Sequence, residues 1–197
     1  MGKRHLTAAF VFGLFFAAFP GVAAEAVSPT EQVKETIDQA LAVVEDSKTD
    51  ESAKLELLRK IISPRINFQE MTRRVLARHW QKNASRESEF TPLFKQLLEV
   101  TYMKRVWLKE GRGIKVVFAR ERQEDNSTVV MTKLTTAKGL EIPMDYRLHS
   151  VNGEWKIYDI HIEGVSMVAN YRAQFDRKLR EQSFDELLTY MKKRVSE

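Results

Sequence analysis

GEWKIYDIHIEGVSMVANYRAQF, residues Gly153–Phe175, is the stretch whose reading decides the fold. Asn152-Gly153 at its head is the dipeptide that supplies two positive-φ positions to a tight hairpin turn. Trp155, Ile157, Tyr158, Ile160 and Ile162 are aromatic or β-branched and suit a half-buried pleated surface. At Glu163-Gly164 a residue without a Cβ lets the backbone bend sharply. Ser166 is then placed to cap a helix on which Val168, Tyr171, Phe175 and Leu179 recur at helical spacing. A strand, a bend and an amphipathic helix in succession fold the helix back over its own sheet.

Upstream, Ser28-Pro29-Thr30-Glu31 has a cap, a proline for the first helical position and a capping-box glutamate. Val33, Ile37, Leu41 and Val44 mark the apolar face of that helix, which ends near Asp46-Ser47. Leu55, Leu58, Ile61 and Ile62 define a second helix, stopped by Ser63-Pro64. A third is expected to begin there and carry Phe68, Met71, Val75, Leu76 and Trp80. A fourth is expected from about Ser88 to Lys109, with Pro92 in its first turn.

After Gly111 and Gly113 the period changes from helical to alternating. Ile114, Val116 and Phe118 open a strand, Gln123–Ser127 reads as a polar loop, and Val129–Thr135 returns. Ala137-Lys138-Gly139 turns the chain into Leu140, Ile142, Met144, Tyr146 and Leu148, the clearest alternation in the sequence. The chain closes on a helix with a second capping box, Ser183-Phe-Asp-Glu186, and an apolar face of Phe184, Leu187, Leu188 and Met191. Helices, a four-stranded antiparallel meander and helices again make an α+β fold. A curved meander wrapped around a helix is the cone-like roll of the nuclear-transport-factor type. Register counted from Asn152-Gly153 sets Leu148 opposite Ile157 and Tyr146 opposite Asp159, unless a bulge shifts it by one.

Lys3 and Arg4, the apolar run Ala8–Phe19 and the small residues Val22-Ala23-Ala24 or Ala24-Glu25-Ala26 spell an export signal. Cleavage is expected after Ala24 or after Ala26, leaving a single domain over 25–197. On removal of Met1–Ala24 the formal charge of +5 loses only Lys3 and Arg4 and so falls to +3. Scattered Lys and Arg on an exported chain suit anionic membranes or acidic partners and count against nucleic acid. Cysteine is absent, which excludes disulfides and thiolate metal sites.

No nucleophile elbow, phosphate loop or HExxH is present. Asp159-x-His161 puts a carboxylate and an imidazole on one strand face, with His149 on the other by the register above. A hydrogen-bonded Asp and a packed His account for that pair without chemistry. Neither a catalytic constellation nor a metal set emerges.

Trp155-Lys-Ile-Tyr-Asp159, Ile162-Glu-Gly-Val-Ser166, Asn170-Tyr-Arg172 and Gln174-Phe175 resemble the signature of the MlaC family. Those are periplasmic phospholipid carriers of the Mla lipid-asymmetry pathway, also known as toluene-tolerance proteins. The resemblance continues in Val75-Leu76 and Trp80, and in Phe90, Phe94, Leu97-Leu98 and Thr101-Tyr102. It implies a roll enclosing an apolar pocket, a periplasmic location, phospholipid as cargo and no cofactor. It also implies two partners, an outer-membrane lipoprotein–porin complex and an inner-membrane MCE-type ABC transporter.

Apolar faces from six helices meet one small sheet, and a pocket between them is the default ligand site. Candidate lipid contacts are Phe68, Val75, Phe94, Tyr102, Val106, Val116, Phe118, Ile142, Met144, Tyr146, Leu148, Ile160, Val165, Val168 and Tyr171, each equally at home in a solid core. Arg147, Lys156 and Arg172 are candidates for head-group or partner contact. Two alternatives stay open: an enzyme on the same fold using Asp159 in an apolar cavity, and a chaperone-like module without a cavity.

Overall fold

The structure, a computed structural model, describes residues 27–108, 111–124 and 126–196, without the side chains of 104–106 and 108. The export signal expected over 1–24 lies outside the described residues. Helix α1 spans Pro29–Glu45, and its capping box is complete: the Ser28 hydroxyl accepts from Glu31 N–H while the Glu31 carboxylate accepts from Ser28 N–H. Helix α2 spans Glu51–Ile62 behind an Asp50 cap. The expected third helix starts later than Ser63-Pro64. Those residues form a 3-10 turn, after which Ile66 bridges Ile157 and Asn67 caps α3, Phe68–Leu76. Asn67 N–H bonds the Ile157 carbonyl at 2.8 Å, so tertiary pairing with the sheet displaces the cap.

Trp80 belongs to a short α4, Trp80–Asn83, because Ala77 takes φ +44° and interrupts the helix before it. Helix α5 spans Glu87–Leu98, which makes Pro92 its sixth residue, in the second turn rather than the first. The chain then widens into a π-helix over Glu99–Leu108, a rare form frequent at functional sites.

Strands β1 (Lys115–Glu124), β2 (Ser127–Thr135), β3 (Glu141–Val151) and β4 (Glu154–Ile162) form the expected meander. A two-residue β5, Val165–Ser166, adds a fifth strand. β1 extends through Gln123 and Glu124 and β2 begins at Ser127, so both ends of the expected polar loop are strand. Leu148 pairs with Ile157 as the turn dictates, but a bulge follows, pairing Arg147 with Asp159 and Tyr146 with Ile160. The expected Tyr146–Asp159 pair is absent for a physical reason. It would set a carboxylate among the apolar residues of the inner face, whereas the bulge brings Ile160 and Ile162 there instead. The same shift moves His149 onto the face of Asp159 and His161.

Helix α6 (Met167–Glu181) follows β5, and α7 (Phe184–Ser196) closes the chain under its capping box. With α3 and α5 they bury Phe90, Phe94, Phe175, Leu187 and Met191 completely or nearly so. Phe90 meets Phe175 edge-on at 5.7 Å, and Phe94 meets Tyr171 edge-on at 5.3 Å. Each such ring contributes on the order of 1.5–3 kcal/mol by leaving water. Helix α1 crosses the inner face of the sheet and packs Val33 and Ile37 on Val130, Tyr146, Leu148 and Ile157. Gln32 Nε2 donates to the Trp155 carbonyl at 2.6 Å and fixes that crossing. Among the described residues no helix is long and apolar enough to cross a membrane.

Candidate functional site: an apolar cavity under the sheet

The helical core and the sheet do not close on one another. A cavity of about 230 Å³ remains between the inner face of β2–β4, α1, the end of α2 and the π-helix. At about 30 Å³ per water, that is the volume of roughly eight waters. Its wall is made by Val33, Thr36 and Ile37 of α1, Ile62 and Ile66, Tyr102 and Trp107 of the π-helix, and Met167 of α6. The sheet adds Leu134, Ile142, Met144, Tyr146, Ile157, Ile160 and Ile162, and Ile114 and Thr136 join from just outside β1 and β2. A second lobe of about 90 Å³ shares Ile62, Ile66, Tyr102, Trp107, Ile160 and Met167 with the first. It continues to Phe68, Met71, Leu98, Glu99 and Met103.

Local structure explains each contribution. Alternation sends Ile142, Met144 and Tyr146 to one side of β3, opposite Leu134, Thr132 and Val130 of β2. The β4 bulge adds Ile160 and Ile162. The π-helix ends where Gly111 N–H reaches the Trp107 carbonyl at 3.2 Å; a Cβ on Gly111 would stand 2.3 Å from that oxygen.

The polar groups at the wall are few and quiet. Burial pushes the Tyr102 phenol up to about 12 and the Tyr146 phenol higher still. The Tyr146 hydroxyl lies 3.8 Å from Met144 Sδ. Glu99 is buried at the second lobe, held by Arg59 at 3.0 Å. Among the described residues no buried side-chain polar atom lacks a partner, and no three metal-ligating side chains gather.

Of the lipid contacts expected from sequence, Tyr102, Ile142, Met144, Tyr146 and Ile160 come together on the main cavity, and Phe68 lines the second lobe. Val75, Phe94, Val168 and Tyr171 are buried among the helices instead. Leu148 is fully buried beneath α1, with Val116 and Phe118 packed around the same cluster. Val165 is exposed, and the side chain of Val106 lies outside the described residues. Sequence reasoning missed the isoleucines at 37, 62, 66, 157 and 162, and Trp107 and Met167. Alternation and helical period place several of these on inner faces, but no periodicity says which inner face stops short of its neighbour.

The three candidate cations stand away from the cavity wall. Arg147 lies on the outer face of the sheet, its Nε 3.1 Å from His161 Nε2 and its Nη1 3.2 Å from Glu124. Lys156 Nζ donates to the Pro64 carbonyl at 2.9 Å. Arg172 lies on the exposed side of α6 beside Ala77 and Ala173. Asp159 is also absent from the wall. It accepts from Ser166 Oγ at 2.5 Å, Val168 N–H at 3.0 Å and Ile160 N–H at 2.8 Å, so its carboxylate caps α6. His161 Nε2 is 3.3 Å from the same carboxylate. The unpaired, cavity-facing Asp159 that an enzymatic reading requires is not what this geometry presents.

The toluene tolerance protein ttg2D of Pseudomonas putida is 26% identical over 168 residues, which cover 82% of this chain and 78% of that protein. The intermembrane phospholipid transport system binding protein MlaC of Haemophilus influenzae is 23% identical over 154 residues, covering 76% and 72% respectively. A phospholipid-binding protein from Ralstonia solanacearum, solved in complex with a phospholipid, superposes with a TM-score of 0.75. The match covers 86% of this chain and 98% of that one at 24% identity, a likeness of fold. The family model described as MlaC protein matches residues 34–193, and the chain therefore belongs to the MlaC family.

Proposed function

We propose that this protein is a periplasmic phospholipid carrier that holds acyl tails in the cavity beneath its sheet. The observation that carries this reading is the almost wholly apolar wall around a preserved void, where a solid core would have stabilised the fold further. The names of its relatives support the same reading. Thioether and aromatic side chains at Met144, Met167, Met71, Tyr102 and Trp107 adapt to chains of different length and unsaturation.

Each buried methylene stabilises the complex by about 0.8 kcal/mol relative to water. A bilayer offers the tails a similar environment, so transfer between carrier and membrane is close to balanced while escape into water is extremely slow. Such a carrier releases its lipid by docking. In this account the chain is exported by its N-terminal signal and shuttles between an outer-membrane lipoprotein–porin complex and an inner-membrane MCE-type ABC transporter, sustaining outer-membrane lipid asymmetry. Phospholipid is cargo rather than cofactor, and no catalytic step is assigned.

Organic extraction of protein purified from the cell envelope tests the reading. Phospholipid in near-stoichiometric amount is expected; a chain yielding only traces after gentle purification contradicts it.

A further inference from the structure

The main cavity occupies one half of the sheet's inner face. Of its wall, Ile114, Thr136, Ile142 and Ile162 lie beside the turns at one end of the meander, while Tyr146 and Ile157 line it from the middle of β3 and β4. Those turns form a rim. Thr136 N–H bonds the Leu140 carbonyl at 2.9 Å, and Gly139 takes φ +80° within that turn. Next to it, Glu163 N–H bonds the Pro143 carbonyl at 2.9 Å, and Glu163-Gly164 both take positive φ. Gly113 approaches the same turn so closely that a Cβ there would stand 3.1 Å from that of Ala137.

This rim is both apolar and basic. Leu140 is 59% and Val165 62% exposed, held outward by the two turns. Arg112, Lys115 and Lys138 are exposed around them without an ion-pair partner among the described residues. Of the acids nearby, Glu141 is taken by Lys133 at 3.0 Å, and Glu45 accepts from Gly113 N–H at 2.6 Å. Among the described residues the opposing charges left are Glu163 and, in a surface pocket with Arg112, Glu51. Apolar side chains projecting between unpaired cations match an anionic lipid surface, whose headgroups meet the cations while the side chains enter the interface.

We infer that this rim is a membrane-docking lip, which sets the cavity against an anionic bilayer through Leu140, Val165 and Lys138. The inference rests on the carrier reading for its purpose, though not for its test. Each cation brought to an anionic surface strengthens partitioning by roughly fivefold. Two apolar side chains and three cations give weak, reversible binding, as a shuttling protein needs.

The test is flotation of the mature chain with vesicles of phosphatidylcholine alone and of phosphatidylcholine mixed with phosphatidylglycerol. Wild type should float with the mixed vesicles, and at least tenfold less with the neutral ones or at high salt. Leu140→Glu/Val165→Glu and, separately, Lys138→Glu should each cut flotation at least fivefold; Leu57→Glu, another exposed apolar position remote from the rim, should not. Lys138→Glu changes an exposed turn residue and guards against misfolding of the double variant. Failure of wild type to float, or rim variants floating like wild type, overturns the inference. So does a rim defect seen only with vesicles carrying a partner protein, which would make the lip a protein-docking surface. Lipid extracted from the same variants separates the two readings: retained phospholipid without flotation removes the lip and leaves the carrier, and flotation without bound lipid does the reverse.

Discussion

Replacing Asp159 by alanine separates a structural carboxylate from a reactive one. In the native chain this side chain accepts from the Val168 and Ile160 N–H groups and from Ser166 Oγ, at the N-terminus of α6. The substitution leaves the buried Val168 N–H without an acceptor, costing about 1–3 kcal/mol. It also removes a negative charge from a helix N-terminus, worth about 0.3–1 kcal/mol and up to about 2 kcal/mol when partly buried. Ser166 still caps Ala169 at 2.9 Å, which limits the loss. Together the expected destabilisation is about 3 kcal/mol, or roughly 6–12 °C in Tm for a chain of this size. Asp159→Asn keeps an oxygen for Val168 and loses mainly the charge, so it should cost about 1 kcal/mol. Thermal unfolding followed by circular dichroism, with lipid extracted from the folded fraction, gives both readouts. Alanine at 159 melting like wild type would refute the capping role. Loss of a turnover activity at unchanged stability would revive the enzyme reading.

Met144→Trp should fill space that an acyl chain needs, lowering extractable lipid while changing stability by less than about 1 kcal/mol; full lipid with the 1–3 kcal/mol loss typical of overpacking would place Met144 in ordinary core. Gly111→Ala forces a Cβ to within 2.3 Å of the Trp107 carbonyl, and because that neighbour is backbone the turn must shift. A stability loss of about 1–3 kcal/mol in urea unfolding is expected, and a neutral result would show that the turn is looser than described. Burial raises the Tyr102 phenol to about 12, above its unfolded value. Its neutral form is therefore favoured by the fold, a contribution present below about pH 10 and lost as pH rises toward about 12. An ultraviolet titration of wild type against Tyr102→Phe checks this, and a phenol titrating at its ordinary value would mean that the wall is open to water there.

The fold was legible wherever local chemistry acts alone. Both capping boxes, the Asn152-Gly153 hairpin and the alternation from Ile142 to Leu148 define their elements from side chains and turns that need no tertiary help. Legibility failed where distant parts decide. The start of α3 depends on Ile66 and Asn67 reaching Ile157, and the β4 bulge depends on the N-terminus of α6 claiming Asp159. The π-helix gives no signal in a sequence whose apolar spacing also fits an α-helix.

The candidate site was legible in kind more than in detail. Met144, Tyr146 and Val168 all carry an apolar inward pattern, yet the first two line a void and the third packs solidly in the helical core. Which of these happens is set by the distance between layers, a property of the whole fold that no residue pattern records.

If the protein carries phospholipid as proposed, its tails lie between the π-helix and the inner face of β3 and β4. Crystals of the chain loaded with a phospholipid brominated along its acyl chains test it directly, because anomalous scattering locates bromine without interpretation of weak density. Bromine peaks are expected within the void bounded by Tyr102, Trp107, Met144 and Ile160. Bromine confined to the surface groove at Ala77 and Arg172, with the void closed by its own side chains, would contradict it.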